Sequence, residues 1–158
     1  MLALVILVGL LICRLPDAAN SETAHALSTP VRVRRVIDGD TVELDDGRRI
    51  RLLGTDAPEL GYNGASSEVG AESSREWLRQ RIGGELVQLR YGPERLDRYA
   101  RTLAWIFTSG GELVNRELLE AGQTRLVTRF GLPADLSAEL HQAAARAQVQ
   151  HRGLWNKK

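Results

Sequence analysis

Two β-prone runs on either side of a tight-turn signal constrain the fold of this chain more than any other feature. Val42-Glu43-Leu44 and Arg49-Ile50-Arg51-Leu52-Leu53 flank Asp45-Asp46-Gly47. Alternation with period two turns one face of a strand to a core and the other to water. Asp-Gly supplies the positive φ that a tight reversal between strands needs. Val31, Val33 and, after a slip at Arg34-Arg35, Val36-Ile37 add a strand before the hairpin. The segment from Val31 to Leu53 therefore reads as a β-meander.

The rest of the chain alternates between helix and strand signals. Residues 54–70 are rich in Gly, Ser, Asn and Pro and read as a loop. A helix is predicted over residues 68–81, with Ala71, Ser74, Leu78 and Ile82 on one face and Gly83-Gly84 as its stop. Strands follow at 85–91 and 101–107, separated by a loop over 93–99. A short helix at 113–121 ends before Gly122, and a last helix covers about 136–150, where Leu136, Leu140, Ala143, Ala144 and Ala147 recur at helical spacing. Trp77, Trp105 and Trp155 read as core. The expected fold class is α+β: a five-stranded OB-fold-like β-barrel with three α-helices. Such closure would bring the 54–67 and 92–99 loops together at one rim.

Residues 1–26 read as a signal peptide or N-terminal anchor plus linker, and 31–156 as the folded domain. The uncharged run Leu2 to Ile12 falls short of the ~17–25 residues a bilayer span requires, but it suits the apolar region of an export signal. Ala24-His25-Ala26 offers a small-x-small cleavage site. The expectation is export, secreted or periplasmic, with residues 2–12 as a membrane attachment if they are retained. The one cysteine, Cys13, lies in this segment, so the domain has neither disulfide nor thiolate chemistry. A formal net charge of +1 is too small to mark a polyanion partner by composition. Any basic surface must come from placement. Nothing demands an obligate protein partner or more than a monomer.

Three motifs carry candidate chemistry. In Asp38-Gly39-Asp40-Thr41, two carboxylates at i and i+2 can face one side of a bent strand and suit a hard cation; the same residues also make an Asp-capped turn. In Arg51-Leu52-Leu53-Gly54-Thr55-Asp56-Ala57-Pro58-Glu59, Asp56 and Glu59 emerge at a strand-to-loop junction stiffened by Pro58. One could ligate metal while the other stays free as a base, or both could be a solvated acidic loop. In Asp97-Arg98-Tyr99-Ala100-Arg101-Thr102-Leu103-Ala104-Trp105, Arg101 opens an apolar strand. Its guanidinium could hold phosphate oxygens or pair with Asp97, and Tyr99 could stack on a base.

Together the three motifs resemble the staphylococcal nuclease (thermonuclease) family. The resemblance runs from about Val31 to Trp155 and takes in Val114-Asn115 and Gly153-Leu154-Trp155. It implies a calcium-dependent nuclease, in which Asp40, Asp56 and the carbonyl of Ala57 ligate Ca²⁺ and Asp38 and Thr41 lie near the ion. Glu59 is implied as general base, with Arg51 and Arg101 as phosphate clamp. The substrate implied is DNA, RNA or both, cut to 3′-phosphates and 5′-hydroxyls, with Arg98, Tyr99 and Phe130 binding it. One departure stands out: two tyrosines of the family pattern correspond here to Thr128 and Phe130, which supply no phenol. A non-catalytic nucleic-acid-binding module on the same barrel, secreted or tethered at the membrane, is the alternative; the presence of Asp40, Arg51, Asp56, Glu59 and Arg101 together favours the enzyme.

Overall fold

In the computed structural model, strands β1 (Val31–Val36), β2 (Thr41–Leu44) and β3 (Arg49–Leu52) form the expected meander. The structure describes residues 26–156. The expected leader lies outside the described residues except for Ala26, so Cys13 and His25 also lie outside. Among the described residues no helix is long and apolar enough to cross a membrane.

The order continues with β4 (Thr55–Asp56), α1 (Ala71–Ile82), β5 (Leu86–Leu96), β6 (Thr102–Thr108), α2 (Val114–Glu120), β7 (Arg125–Leu126) and α3 (Ala134–Val149). A 3₁₀ turn at Gly153–Trp155 follows. Five strands close into a barrel in the order β1-β2-β3-β6-β5. All barrel neighbours are antiparallel except β3 and β6, whose parallel pairing follows from the long excursion through α1 and β5 between them. The β2–β3 turn forms as expected: Gly47 sits at φ 85° and donates to the Leu44 carbonyl.

Two cores share strand β6. Its inward side chains, Ala104 and Ile106, join Val33, Val42, Leu44, Ile50, Leu52 and Leu89 inside the barrel, with Leu78 and Ile82 of α1 closing one end. Its outward Trp105 packs against Leu136, Leu140, Ala143 and Ala144 of α3, with Leu53 and Leu126 at the edge. A strand covered on both faces reads as a continuous apolar run, as Thr102–Thr108 does.

Several expectations shift. The first helix starts at Ala71 rather than 68, because Gly70 adopts φ 93° and Glu68 closes the preceding loop through its backbone and carboxylate. Strand β5 runs on to Leu96 through the expected loop, with its pairing to β6 broken between Tyr91 and Leu96, where Pro93 is tolerated. The last helix begins two residues early, after Pro133. Residues 55–56, read as loop, pair with 125–126 as β4 and β7. Of the tryptophans only Trp105 is fully in the core; Trp77 and Trp155 are half-buried at its margins.

Asn115, at the start of α2, couples these parts. It is fully buried; its Oδ1 accepts the Ile106 N–H at 2.9 Å and its Nδ2 donates to the Leu53 carbonyl at 2.8 Å. It therefore ties α2 to β6 and to the end of β3 that feeds the 54–59 segment. Asn115→Ala strands both backbone partners, and we expect a loss of about 2–4 kcal/mol of unfolding free energy. Urea melts check this; a loss below 1 kcal/mol would contradict the tie.

Candidate active site

The candidate residues converge where β2 begins, β3 ends and β4 leads into the next loop. Asp38, Gly39 and Asp40 form a tight turn in which Asp38 Oδ1 accepts the Asp40 N–H at 2.9 Å. The capped turn and the carboxylate pair are thus the same structure. Gly39 is required by close approach: a Cβ there would lie 2.1 Å from Ser74 Oγ and 2.7 Å from the Ala57 Cβ. This contact lets the turn sit directly against Ala57.

Asp40 is buried, with 6% of its surface exposed. Its Oδ2 accepts the Ala57 N–H at 2.8 Å and faces Arg51 Nη2 at 3.0 Å; its Oδ1 accepts the Thr41 hydroxyl at 3.1 Å. Burial pushes its pKa up to about 7, and the Asp38 charge adds to this, while Arg51, the Ala57 N–H and the Thr41 hydroxyl pull it back.

Arg51 is held from both ends of its fork. Nη1 donates to the carbonyls of Leu52 (2.6 Å) and Thr55 (2.8 Å). Nη2 lies between the Asp40 carboxylate and Asp56 Oδ1, the latter at a marginal 3.5 Å. Thr41 pairs with Arg51 across β2–β3, and Arg51 pairs with Leu103 across β3–β6. Arg101, two residues before Leu103, therefore lies on the same barrel face. Its Nη1 reaches Thr41 Oγ1 at 3.4 Å.

Arg101 also makes the ion pair with Asp97, Nε to Oδ2 at 2.8 Å. Asp97 Oδ1 accepts the backbone N–H groups of Tyr99 and Arg101 as well. The two readings of Arg101 coexist: Asp97 holds the Nε edge, and Nη2 has no partner among the described residues. Burial opposes ionisation of Asp97, but the N–H groups and guanidinium of Arg101 and the Tyr99 N–H outweigh it and hold the carboxyl below its ordinary value.

Glu59 is exposed, and its side chain has no hydrogen-bond or ion-pair partner among the described residues. Its backbone is fixed: the N–H donates to Glu68 Oε2 and the carbonyl accepts the Glu68 N–H. Tyr99 is 64% exposed, with the guanidiniums of Arg98 and Arg101 at 4.7 Å and 5.4 Å from its ring. Phe130 is 71% exposed beneath Arg129, on the loop after β7, and makes no hydrogen bond or ion pair with the acidic cluster. Among the described residues no group of three or more His, Cys, Asp or Glu is arranged to hold a metal.

The sequence profile described as staphylococcal nuclease homologue matches residues 49–157. The chain belongs to this family. Its relatives include a thermonuclease of Staphylococcus intermedius, 34% identical over 139 residues, covering 82% of this chain and 81% of its own. An uncharacterized endonuclease of Escherichia coli O157:H7 is 32% identical over 128 residues, covering 79% and 76%. A probable endonuclease LCL3 of Meyerozyma guilliermondii is 28% identical over 133 residues, 78% of this chain and 56% of its own.

Two residues next to these motifs, one in the sheet and one in the sequence, escape a reading of motifs. Arg125 pairs with Asp56 across β4–β7, a contact that no local pattern announces. Tyr62, 59% exposed, stands three residues after Glu59 on the loop that Glu59 and Glu68 close; its isolation between Gly61 and Asn63-Gly64 was the available signal. Asp97 contributes stability that is fully present above the ordinary carboxylate pKa and is lost as pH falls through its depressed folded value. Asp97→Ala should therefore lower unfolding free energy by about 1.5–3 kcal/mol at pH 7. The gap between variant and wild type should narrow towards pH 3. Urea melts at the two pH values check this; a constant gap would contradict it.

Proposed function

We propose that this chain is a calcium-dependent nuclease that hydrolyses phosphodiester bonds of DNA, RNA or both, with the site in residues 38–59 and 97–101. Its membership of the staphylococcal nuclease family and its endonuclease-named relatives support nuclease chemistry, endonucleolytic in kind. The observation that carries the assignment of residues is one connected cluster. Two carboxylates flank Arg51 and Arg101 shares its strand face, while Glu59, three residues after Asp56, is exposed and unpaired among the described residues.

The donor set suits a hard cation. Asp40, Asp56 and the Ala57 carbonyl would hold it and offer only oxygen, as Ca²⁺ prefers. The buried Asp40, raised towards neutrality by burial, gains from an added cation beside it. When bound, such an ion stabilises negative charge on the phosphate. Asp38 fixes the Asp40 backbone and Thr41 fixes its carboxylate.

The chain's own groups do the rest. Glu59 accepts the proton of the attacking water; with no competing partner among the described residues, its carboxylate is available for that hydrogen bond. Arg51 and Arg101 hold the non-bridging oxygens as charge builds on them. Arg98, Tyr99 and Phe130 receive the flanking nucleotides by charge and stacking. We also propose residues 1–26 as an export signal or anchor preceding a nuclease domain at 31–156, placing the enzyme outside the cytoplasm as a monomer.

Hydrolysis of single-stranded DNA should require Ca²⁺ and stop with chelator. Glu59→Gln should lower kcat by about 10²–10⁴ with unchanged thermal stability, since that side chain is exposed and makes no hydrogen bond or ion pair among the described residues. Arg51→Lys should lose about 10²–10³ in rate, because three ammonium donors cannot serve the four acceptors around the Arg51 fork. Metal-independent cleavage sinks the calcium assignment. Wild-type rates in Glu59→Gln or Arg51→Lys remove that residue from its role.

A further inference from the structure

The slip at Arg34-Arg35 has a structural outcome. A β-bulge places both residues opposite Glu43, because the register passes from Val33↔Leu44 directly to Arg35↔Glu43. Two consecutive arginines therefore point outward, with 64% and 62% of their side chains exposed, and both reach Glu43: Arg34 Nη1 to Oε1 at 3.4 Å and Arg35 Nη2 to Oε2 at 2.8 Å. On the other side, Glu43 pairs across β2–β3 with Arg49, which is exposed and has no hydrogen-bond or ion-pair partner among the described residues. Three guanidiniums thus surround one carboxylate. The Arg35 hydrogen bond, opposed by burial and aided by the fields of Arg35, Arg34 and Arg49, holds Glu43 below its ordinary value.

This row leads into the site. Arg49 and Arg51 are two apart on β3, so they share a face ~7 Å apart. Arg35 lies two strands across from Arg49, on the order of 10 Å. We propose that Arg34, Arg35 and Arg49 form a phosphate-binding track on the outer face of β1–β3, which seats the backbone of a nucleic acid strand as it leaves the site at Arg51. Glu43 presets the arginines and lowers the net charge of the row without cancelling it. The hairpin tip limits the track: Asp45 and Asp46 stand there, and Asp46 is already paired with Arg48. The footprint is therefore short, a phosphate or two beyond the scissile one. The proposal rests on the nuclease reading for its direction but not for its binding test.

The probe is a fluorescent 15-mer oligothymidylate, titrated with the full chain in chelator so that nothing is cleaved, from low to moderate salt. Each phosphate contact on a single strand contributes about 0.7 to the slope of log K against log salt. The double variant Arg35→Gln/Arg49→Gln should weaken binding and reduce the slope by about 1.4. Glu43→Gln should do the opposite, tightening binding and steepening the slope, a change that a damaged fold does not produce. With Ca²⁺, the double variant should raise KM for the 15-mer several-fold at unchanged kcat and leave cleavage of the dinucleotide TpT unaltered. An unchanged slope in the double variant overturns the track, as does weaker binding in Glu43→Gln. Loss of binding to anionic phosphatidylglycerol vesicles with oligonucleotide binding intact assigns the face to lipid and overturns it too. If the wild type binds with the expected slopes but never cleaves, the nuclease reading fails and the track stands.

Discussion

The buried carboxylate of Asp40 joins the parts on which the site depends. Its two oxygens receive the Ala57 N–H, the Thr41 hydroxyl and the Arg51 guanidinium, and its backbone carbonyl accepts the Leu52 N–H. One residue thus fastens the start of β2, the end of β3 and the segment after β4. A carboxylate taken out of water this far carries a penalty of several kcal/mol unless charge and hydrogen bonds compensate it. Arg51 supplies the charge and is itself pinned by two carbonyls, so neither partner can relax alone. The same burial that makes these contacts necessary also raises the proton affinity of Asp40.

That joint needs rigid surroundings, which the two cores provide. Leu52 belongs to the barrel interior and Leu53 to the core under α3, so the strand end feeding Gly54 to Glu59 is clamped from both sides. Asn115 and the β4–β7 pair fix the same segment by hydrogen bonds. Loops beyond this clamp hold the exposed aromatics Tyr62, Tyr99 and Phe130. Chemistry at a packed strand end with recognition on surrounding loops is how an open barrel rim can be both accurate and adaptable.

Local signals made most of this legible. The Asp-Gly hairpin, the period-two runs and the glycine helix stops rest on φ preferences and side-chain alternation that neighbours in sequence determine. The grouping of Asp38, Asp40, Arg51, Asp56 and Arg101 was legible because each motif lies at the end of a strand that the barrel brings to one rim. What stayed hidden was non-local. The pairing of Thr55-Asp56 with Arg125-Leu126 joins short segments about 70 residues apart in sequence. The extension of β5 past Pro93 depends on a β6 partner that tolerates a gap. Glu68 looked like a helix residue by propensity, but its bonds to Glu59 outweighed that weak preference. Phe130 matched a motif position, yet only the fold puts its loop next to β4.

The arginine-rich, nearly neutral composition finds its sense in placement. Helix arginines face acidic neighbours one turn away or across a helix pair: Arg75 with Glu72, Arg79 with Glu76, Arg81 with Glu117, and Arg116 and Arg146 with Glu120. Arg90 docks α3 through Asp135. These pairs cancel at short range and project little field beyond a Debye length of ~8–10 Å. On β1–β3 two arginines share the Glu43 carboxylate with Arg49 unpaired beside them among the described residues, and at the rim Arg98 and Arg129 lie over aromatic rings with no carboxylate partner among the described residues. Arginines without a carboxylate of their own thus stand on the β1–β3 face and on the loops near the acidic cluster. A chain of net charge +1 can in this way present a locally cationic surface to a polyanion.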